Sequence, residues 1–212
     1  MPHPLPLAIA LLDGAGITAL ILTSYYIYKA YRITESRLFL FFLAGFTLLA
    51  LSELARAVLM LLTLLLPSPF FLRFFLRHLV GSLGQVLETV SWSLIALGYL
   101  LEGRRPGNNR AAGPVPVAPP PPRPEHVFSL TYGLNAVILS FIVVRNLSAY
   151  ARSGNRSILR TLLAFALILA SNVAGLAAVL WDVEGLFILS RILFVAGLLV
   201  FLAFIAGVAS SR

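Results

Sequence analysis

Six continuous apolar runs dominate this sequence, and each is long enough to cross a lipid bilayer as a helix. A transmembrane helix takes about 20 predominantly apolar residues. The runs lack the alternation of apolar and polar residues that is typical of a transmembrane β-strand. The sequence therefore predicts an all-α integral membrane protein, a bundle of six transmembrane helices. The predicted helices cover residues 5–28, 38–66, 70–101, 127–150, 158–181 and 185–209.

The composition makes lipid the natural solvent for this chain. Hydrophobic residues make up 59% of it and charged residues 11%, against about 45–50% and about 25% in soluble domains. The net charge of +8 comes from arginines between the apolar runs, where they anchor helix ends to headgroups. We therefore expect a lipid bilayer, and no nucleic acid, as the partner of these basic residues. The N-terminus lacks the basic segment of a cleavable signal peptide.

Two interruptions organise the predicted bundle. Pro67-Ser68-Pro69 is a tight break, so the second and third helices are expected to form a hairpin. Residues 103–126 form a basic, proline-rich linker, and its prolines favour extended polyproline II over a helix. The linker divides the chain into a first transmembrane half, residues 1–102, and a second transmembrane half, residues 127–212.

The two halves show a weak internal similarity. A shift of 119 residues aligns identical residues along the first two helices of each half. One interpretation of these matches is an internal repeat. The alternative is chance similarity between leucine-rich helices. The aligned pairs are Gly14 with Gly133, Tyr31 with Tyr150, Arg37 with Arg156, Phe46 with Phe165, Ser52 with Ser171 and Ala55 with Ala174.

Three crossings in each half predict an inverted repeat, a transporter plan in which the binding site lies between the halves near the midplane. The basic residues divide almost equally between the two predicted sides. The basic flank of the first helix favours both termini outside under the positive-inside rule. Cysteines at Gly107 and Ser153 are then expected to label from opposite sides. The basic loops of the two halves also face opposite sides, which indicates either a weak charge bias or an additional crossing.

The ionisable residues inside the apolar runs are the best candidates for a functional site. Glu53 and Arg56 are spaced i, i+3 on the second helix, and Glu88 lies at a similar depth on the third. A charge at the bilayer centre costs about 2.5–3.5 kcal/mol on insertion scales. We therefore expect Arg56 to lie between the two carboxylates in the interior, with Asn135 and Asn172 of the second half nearby. These five residues form either a substrate or ion pathway or a buried pair that fixes helix register.

Other chemistries find little support. The chain has no cysteine, which excludes disulfides, thiolate catalysis and iron–sulfur clusters. His78 and His126 are predicted at opposite faces, so neither a haem nor a metal site is expected. Lys29 lies at a helix end, where a retinal Schiff base is not expected, and neither Asp13 nor Asp182 carries an intramembrane protease motif. We therefore expect no cofactor, no catalytic residues and no enzymatic activity.

These patterns predict a multi-pass protein of the cell membrane, a small transporter or channel-like module with a polar site at the midplane. The alternative is a non-catalytic structural or sensory membrane subunit of a larger complex, in which the charged residues only hold the helices in register. So small a bundle is expected to form a homo-oligomer or to join a larger membrane complex. A solvated path to Glu53 or Glu88 distinguishes the two functions.

Overall fold

The protein consists of six α-helices in a computed structural model that describes residues 4–65, 70–102 and 124–210. Within these ranges the side chains of residues 4–8, 59–60, 62–65, 70–81 and 124–129 are not described. The helices are α1 (Pro4–Thr34), α2 (Arg37–Leu65), α3 (Phe70–Glu102), α4 (Pro124–Ser153), α5 (Arg156–Trp181) and α6 (Glu184–Ser210).

Five of the helices are long and apolar enough, over their described residues, to cross a membrane. This length and apolarity identify a multi-pass membrane protein, and α3 is the remaining helix of the predicted six. The five candidate spans are Ile9–Thr34, Arg37–Val58, Leu130–Ser153, Arg156–Trp181 and Glu184–Ser210.

Short turns with left-handed residues join three pairs of helices. Glu35 at φ 52°, Gly154 at φ 62° and Asp182 at φ 54° each follow the last residue of a helix. Positive φ ends an α-helix within one residue and reverses the chain. The Asn155 side chain then caps α5 by accepting a hydrogen bond from the Ser157 amide at 2.9 Å. The α1–α2, α4–α5 and α5–α6 pairs are therefore tight antiparallel hairpins. The predicted break at residues 67–69 lies outside the described residues.

The six helices form a closed ring. Each helix packs against the helices before and after it in sequence, and α6 packs back onto α1. Large apolar side chains from α2, α3, α5 and α6 meet inside the ring and are fully buried, as at Phe46, Trp92, Phe165 and Phe201. The outer surface carries many exposed leucines, isoleucines and valines, as expected for a surface that faces lipid.

The two halves meet through parallel helices. Thr131 on α4 donates a hydrogen bond to Gln85 on α3 at 2.6 Å. Farther along the same two helices, the Asn146 amide donates to the Tyr99 hydroxyl at 3.0 Å. Residue numbers rise together along both helices, so α3 and α4 run in the same direction.

The α1–α6 contact closes the ring in the same way. Asp13 on α1 pairs with Arg191 on α6, and Gly16, three residues later, lies against Val195. Both halves therefore run in the same sequence of directions. The predicted inverted repeat is wrong, because it requires α3 and α4 to be antiparallel. The end of α6 also lies at the opposite end of the bundle from the start of α1, so the prediction that both termini share one side is wrong as well.

Equivalent contacts recur in the two halves. The Ser52 hydroxyl on α2 donates to the Gly84 carbonyl on α3 at 2.8 Å. The Ser171 hydroxyl on α5 lies 3.3 Å from the Ser190 hydroxyl on α6. Ser171 follows Ser52 by the 119 residues of the sequence match, and Ser190 follows Gly84 by 106 residues.

A second contact repeats with the same two shifts. A Cβ atom built on Gly45 of α2 would lie 2.9 Å from the Ser91 carbonyl oxygen of α3. In the other half, a Cβ atom on Gly197 of α6 would lie 2.9 Å from the Ala164 carbonyl oxygen of α5. Both positions therefore need glycine for the helices to approach this closely. The recurrence favours a parallel repeat over a chance match between leucine-rich helices.

The parallel arrangement places Glu102 and Pro124 at opposite ends of the bundle. The connecting residues, 103–123, lie outside the described residues, and α4 begins at Pro124, inside the predicted linker of 103–126. In the sequence, residues 111–122 carry no charge and half of them are prolines.

Among the residues whose side chains are described, the basic ones concentrate at one end of the ring. The end that carries the α1–α2 and α4–α5 hairpins, here called the basic end, collects most of the described cations. The other end, here called the acidic end, carries Asp182 and Glu184 in the α5–α6 hairpin. By the positive-inside rule we expect the basic end to face the cytoplasm. The cations of the basic end are Lys29, Arg32, Arg37, Arg145, Arg152, Arg156 and Arg160.

Cysteine labelling tests this topology, because the chain contains no native cysteine. We expect single cysteines at Ser36 and Ser153 to react with a membrane-impermeant maleimide from the same side of oriented vesicles. A cysteine at Asp182 is the control, and it should react only from the other side. Labelling of Ser36 and Ser153 from opposite sides would restore the inverted arrangement.

Candidate functional site: a row of ion pairs inside the ring

Five charged side chains form a continuous row across the ring interior. Arg56 donates to Glu53 at 3.1 Å and to Glu88 at 3.0 Å. Arg191 lies 3.4 Å from Glu53 and 3.6 Å from Asp13. The order Glu88–Arg56–Glu53–Arg191–Asp13 alternates in sign. We call this set the ion-pair row; α1, α2 and α3 of the first half and α6 of the second half contribute to it.

Local packing holds Arg56 in the row. Its spacing from Glu53 places both side chains on one face of α2. The stem of Arg56 crosses Gly84 on α3, where a Cβ atom would collide with the arginine Nε. The hydrogen bond from Ser52 to the Gly84 carbonyl brings the two helices together at this point. Gly84 therefore provides the space through which Arg56 reaches Glu88.

Hydrogen bonds and aromatic contacts orient the remaining charges. The indole nitrogen of Trp92, one turn along α3, donates to Glu88 at 3.4 Å. The guanidinium of Arg191 lies 5.4 Å from the centroid of the Phe187 ring, one turn earlier on α6. Tyr132 on α4 lies close enough to interact electrostatically with the row. These contacts restrict the rotamers of the charged side chains.

The predicted contact between Arg56 and the two glutamates is present, but the two asparagines take no part in the ion pairs. Asn135 and Asn172 are buried, as predicted from their positions. Asn172 donates to the Ile168 carbonyl at 3.2 Å, and the carboxamide oxygens of both asparagines have no hydrogen-bond partner among the described residues. Their place in a substrate or ion pathway remains a prediction.

Sequence reasoning missed two members of the row, Asp13 and Arg191. Both lie inside apolar runs, as Glu53 and Arg56 do. Arg191 follows the start of α6 by seven residues, about 10 Å along the helix axis, which is too deep for an ordinary headgroup anchor. The rule that identified Glu53 and Arg56, a charge inside an apolar run, would also have found this pair.

An aromatic layer closes the ring on the basic side of the ion-pair row. Phe46 and Phe201 stack with their ring centroids 4.9 Å apart and their planes 12° apart. Trp92 packs edge-on against Phe46 at 6.3 Å and against Phe165 at 6.5 Å. Phe42 contacts Phe165 and Phe201. These five side chains, the aromatic layer, are almost completely buried and fill the interior between α2, α3, α5 and α6.

A cavity of about 640 Å³ opens beyond the aromatic layer at the basic end. Its floor includes Phe42 and Tyr99, and its walls carry Glu102, Arg145 and Arg152. The Tyr99–Asn146 pair, which joins α3 to α4, also lines it. We call this cavity the vestibule. The vestibule and the ion-pair row lie on opposite sides of the aromatic layer. Along α3, for example, Glu88 belongs to the row, Trp92 to the layer and Tyr99 to the vestibule.

The predicted absence of a metal site rested partly on a topology that the structure corrects. His78 and His126 lie in the first parts of α3 and α4, which the parallel packing places at the same end of the ring. Their side chains are outside the described residues. Within the described part of the chain, no group of three or more histidine, aspartate or glutamate side chains is arranged to hold a metal ion.

Comparison with known proteins adds no assignment to this geometry. No protein-family model, curated protein or solved structure matches the chain. Inferences about function therefore depend on the residues themselves.

Proposed function

We propose that this protein is a small transporter of the cell membrane, with the ion-pair row as its polar site. One observation carries the proposal: charged residues of both halves meet in a partly accessible row that the aromatic layer separates from the vestibule. Arg56, Arg191 and Asp13 keep 20%, 18% and 20% of their side-chain surface exposed. Glu53 and Glu88 are buried more deeply, at 6% and 10% exposed, and a row that only fixed helix register would need no water.

The aromatic layer favours a transporter over an open channel. A channel needs a continuous hydrated path, and fully buried rings such as Phe46 and Phe201 obstruct one. Parallel repeats recur in transporters whose two halves rock around a central site. In this ring the helix backbones of the two halves lie side by side at two pairs, α1 with α6 and α3 with α4, while side chains such as Phe46 and Phe201 meet across the interior. Rocking at these two contacts would expose the row to each side in turn.

The main alternative is a structural or sensory membrane subunit. The alternating signs of the row favour it, because every charge in the row has an opposite charge within 3.6 Å and the pairs join both halves. Self-association or assembly into a larger complex fits either function, and neither requires catalysis. Hydration of the ion-pair row distinguishes the two functions, because only in a transporter must water reach the row from both sides of the membrane.

Accessibility of two adjacent residues on α5 tests the proposal. Asn172 faces the interior, while Val173 is half exposed on the outer surface. We expect Asn172→Cys in proteoliposomes to react with a membrane-impermeant methanethiosulfonate reagent added to either side. Val173→Cys, the matched control, should react from neither side, because its thiol contacts lipid.

Sided reaction of Asn172→Cys would contradict alternating access, since a transporter must open to both faces. Protection from both sides would show a dry interior around Asn172 and favour the structural subunit. With an accessible row, currents on a solid-supported membrane after concentration jumps of amino acids, carboxylates, sugars and quaternary amines would then identify the substrate class.

A further inference from the structure

The ion-pair row carries one more negative charge than positive charge. Asp13, Glu53 and Glu88 are three carboxylates, and only Arg56 and Arg191 oppose them. Charges in the interior of a membrane protein are expensive unless they are balanced. The described part of the interior offers no further cationic side chain in contact with the row and no cluster arranged for a metal ion. A proton on one carboxylate is the simplest way to balance the row.

Geometry indicates which carboxylate takes the proton. Glu53, at the centre of the row, contacts both arginines. Glu88 contacts Arg56 at 3.0 Å and also accepts a hydrogen bond from Trp92. Among the side chains that the structure describes, Asp13 contacts one charged group, Arg191 Nε at 3.6 Å. Asp13 is therefore the carboxylate whose negative charge the row stabilises least.

The charged neighbours of Asp13 act on it in opposite directions. Helix α1 packs against α2 and α6. From α6, Arg191 faces Asp13 and favours its charged form; from α2, Glu53 opposes that form and Arg56 favours it. Glu53 also lies within 3.4 Å of Arg191 and competes for the same guanidinium. Asp13 keeps 20% of its side-chain surface exposed, and proton uptake requires that this surface contact water.

We propose that Asp13 is a proton-binding site whose protonation loosens the contact between the two halves. In this step a hydronium ion transfers one proton to an Asp13 carboxylate oxygen and leaves water. The neutral carboxyl no longer attracts Arg191, which then pairs fully with Glu53. The α1–α6 contact thereby loses its ion pair, while Gln85 and Thr131 still join α3 to α4 near the same end.

Proton binding stands on the charges of the row alone, whereas its coupling to movement rests on the proposed transport function. If that function holds, the protein is a proton-coupled transporter. Proton uptake would then accompany opening of the ring at the α1–α6 contact. An uncoupled protein would bind the same proton without any change in the accessibility of Asn172.

Infrared difference spectroscopy of the reconstituted protein tests the site directly. We expect the C=O stretch of one protonated carboxyl to appear as the pH is lowered, to shift in D2O and to be lost in Asp13→Asn. Glu184→Gln removes an exposed carboxyl at the start of α6 and is the control that keeps the band. Asp13→Glu keeps a carboxyl in the row and should change the frequency of the band, which covers the case in which Asp13→Asn does not fold.

The outcomes separate this inference from the proposed transport function. A band that persists in Asp13→Asn, or is unchanged in Asp13→Glu, would overturn the assignment to Asp13. A band that is lost in Glu88→Gln but kept in Asp13→Asn would show that Glu88, at the other end of the row, is the protonated carboxyl. If Asn172→Cys is protected but the Asp13 band is present, the proton site is supported and the transport function is contradicted. If Asn172→Cys reacts but no carboxyl band appears, the transport function is supported and the proton site is contradicted.

Discussion

Replacing Arg56 alone by methionine is expected to destabilise the folded protein by on the order of 3–5 kcal/mol, the usual cost of leaving one partner of a buried ion pair alone. Of the described cations, Arg56 alone contacts Glu88, which is 10% exposed in its side chain. Glu53 keeps Arg191 as a partner. The loss therefore falls on Glu88, and thermal unfolding of the detergent-solubilised protein should show a clearly lowered midpoint.

The double variant Arg56→Met with Glu88→Gln is the matched control and should cost much less. It removes one charge of each sign and leaves Asp13, Arg191 and Glu53 as a contiguous group. A midpoint for Arg56→Met equal to that of the wild type would show that the row is hydrated and not buried. If the double variant were as unstable as the single one, the packing of Arg56 across Gly84 would be the main contribution.

The contact of Arg56 with Glu53 and Glu88 could be predicted because it depends on local information. The i, i+3 spacing places Glu53 and Arg56 on one helix face. A short connection between α2 and α3 makes those helices neighbours, and counting residues from it gives similar depths for Glu53 and Glu88. The high cost of a lone charge in lipid then leaves few arrangements other than pairing.

The direction of the second half could not be predicted in the same way. It depends on the path of residues 103–126, and proline-rich composition does not determine which face that segment ends on. The sequence nevertheless carried a signal, because the α1–α2 and α4–α5 hairpins are both basic. An inverted arrangement puts these hairpins on opposite sides, against the positive-inside rule, whereas the parallel arrangement puts them together.

The pairing of Asp13 with Arg191 depends on closure of the ring. The two residues lie on the first and last helices, and no hairpin connects them. Apolar periodicity does not indicate that α1 and α6 are neighbours, since both are apolar around most of their circumference. Recognising each residue as a buried charge was possible from the sequence, but recognising them as partners required the packing.

Replacing Phe201 by alanine is expected to open a leak between the vestibule and the ion-pair row. Phe201 lies at the centre of the aromatic layer, stacked on Phe46 at 4.9 Å and in contact with Phe165 at 5.6 Å. Its truncation leaves a cavity that the remaining rings fill only partly. We expect passive proton flux into proteoliposomes, measured with an enclosed pH dye under a potassium diffusion potential, to rise more than about tenfold, which corresponds to a barrier lowered by about 1.4 kcal/mol.

A neighbouring residue on the same helix distinguishes the layer from a general loss of packing. Leu199 lies two residues before Phe201 and is half exposed on the lipid-facing side. Leu199→Ala should therefore leave the proton flux unchanged, although it also removes a large side chain from α6. If both variants leak equally, the flux reflects loosened helices and not an opened layer. If Phe201→Ala folds and remains as tight as the wild type, the aromatic layer does not form the barrier, and the separation of row and vestibule that favours a transporter over a channel is lost.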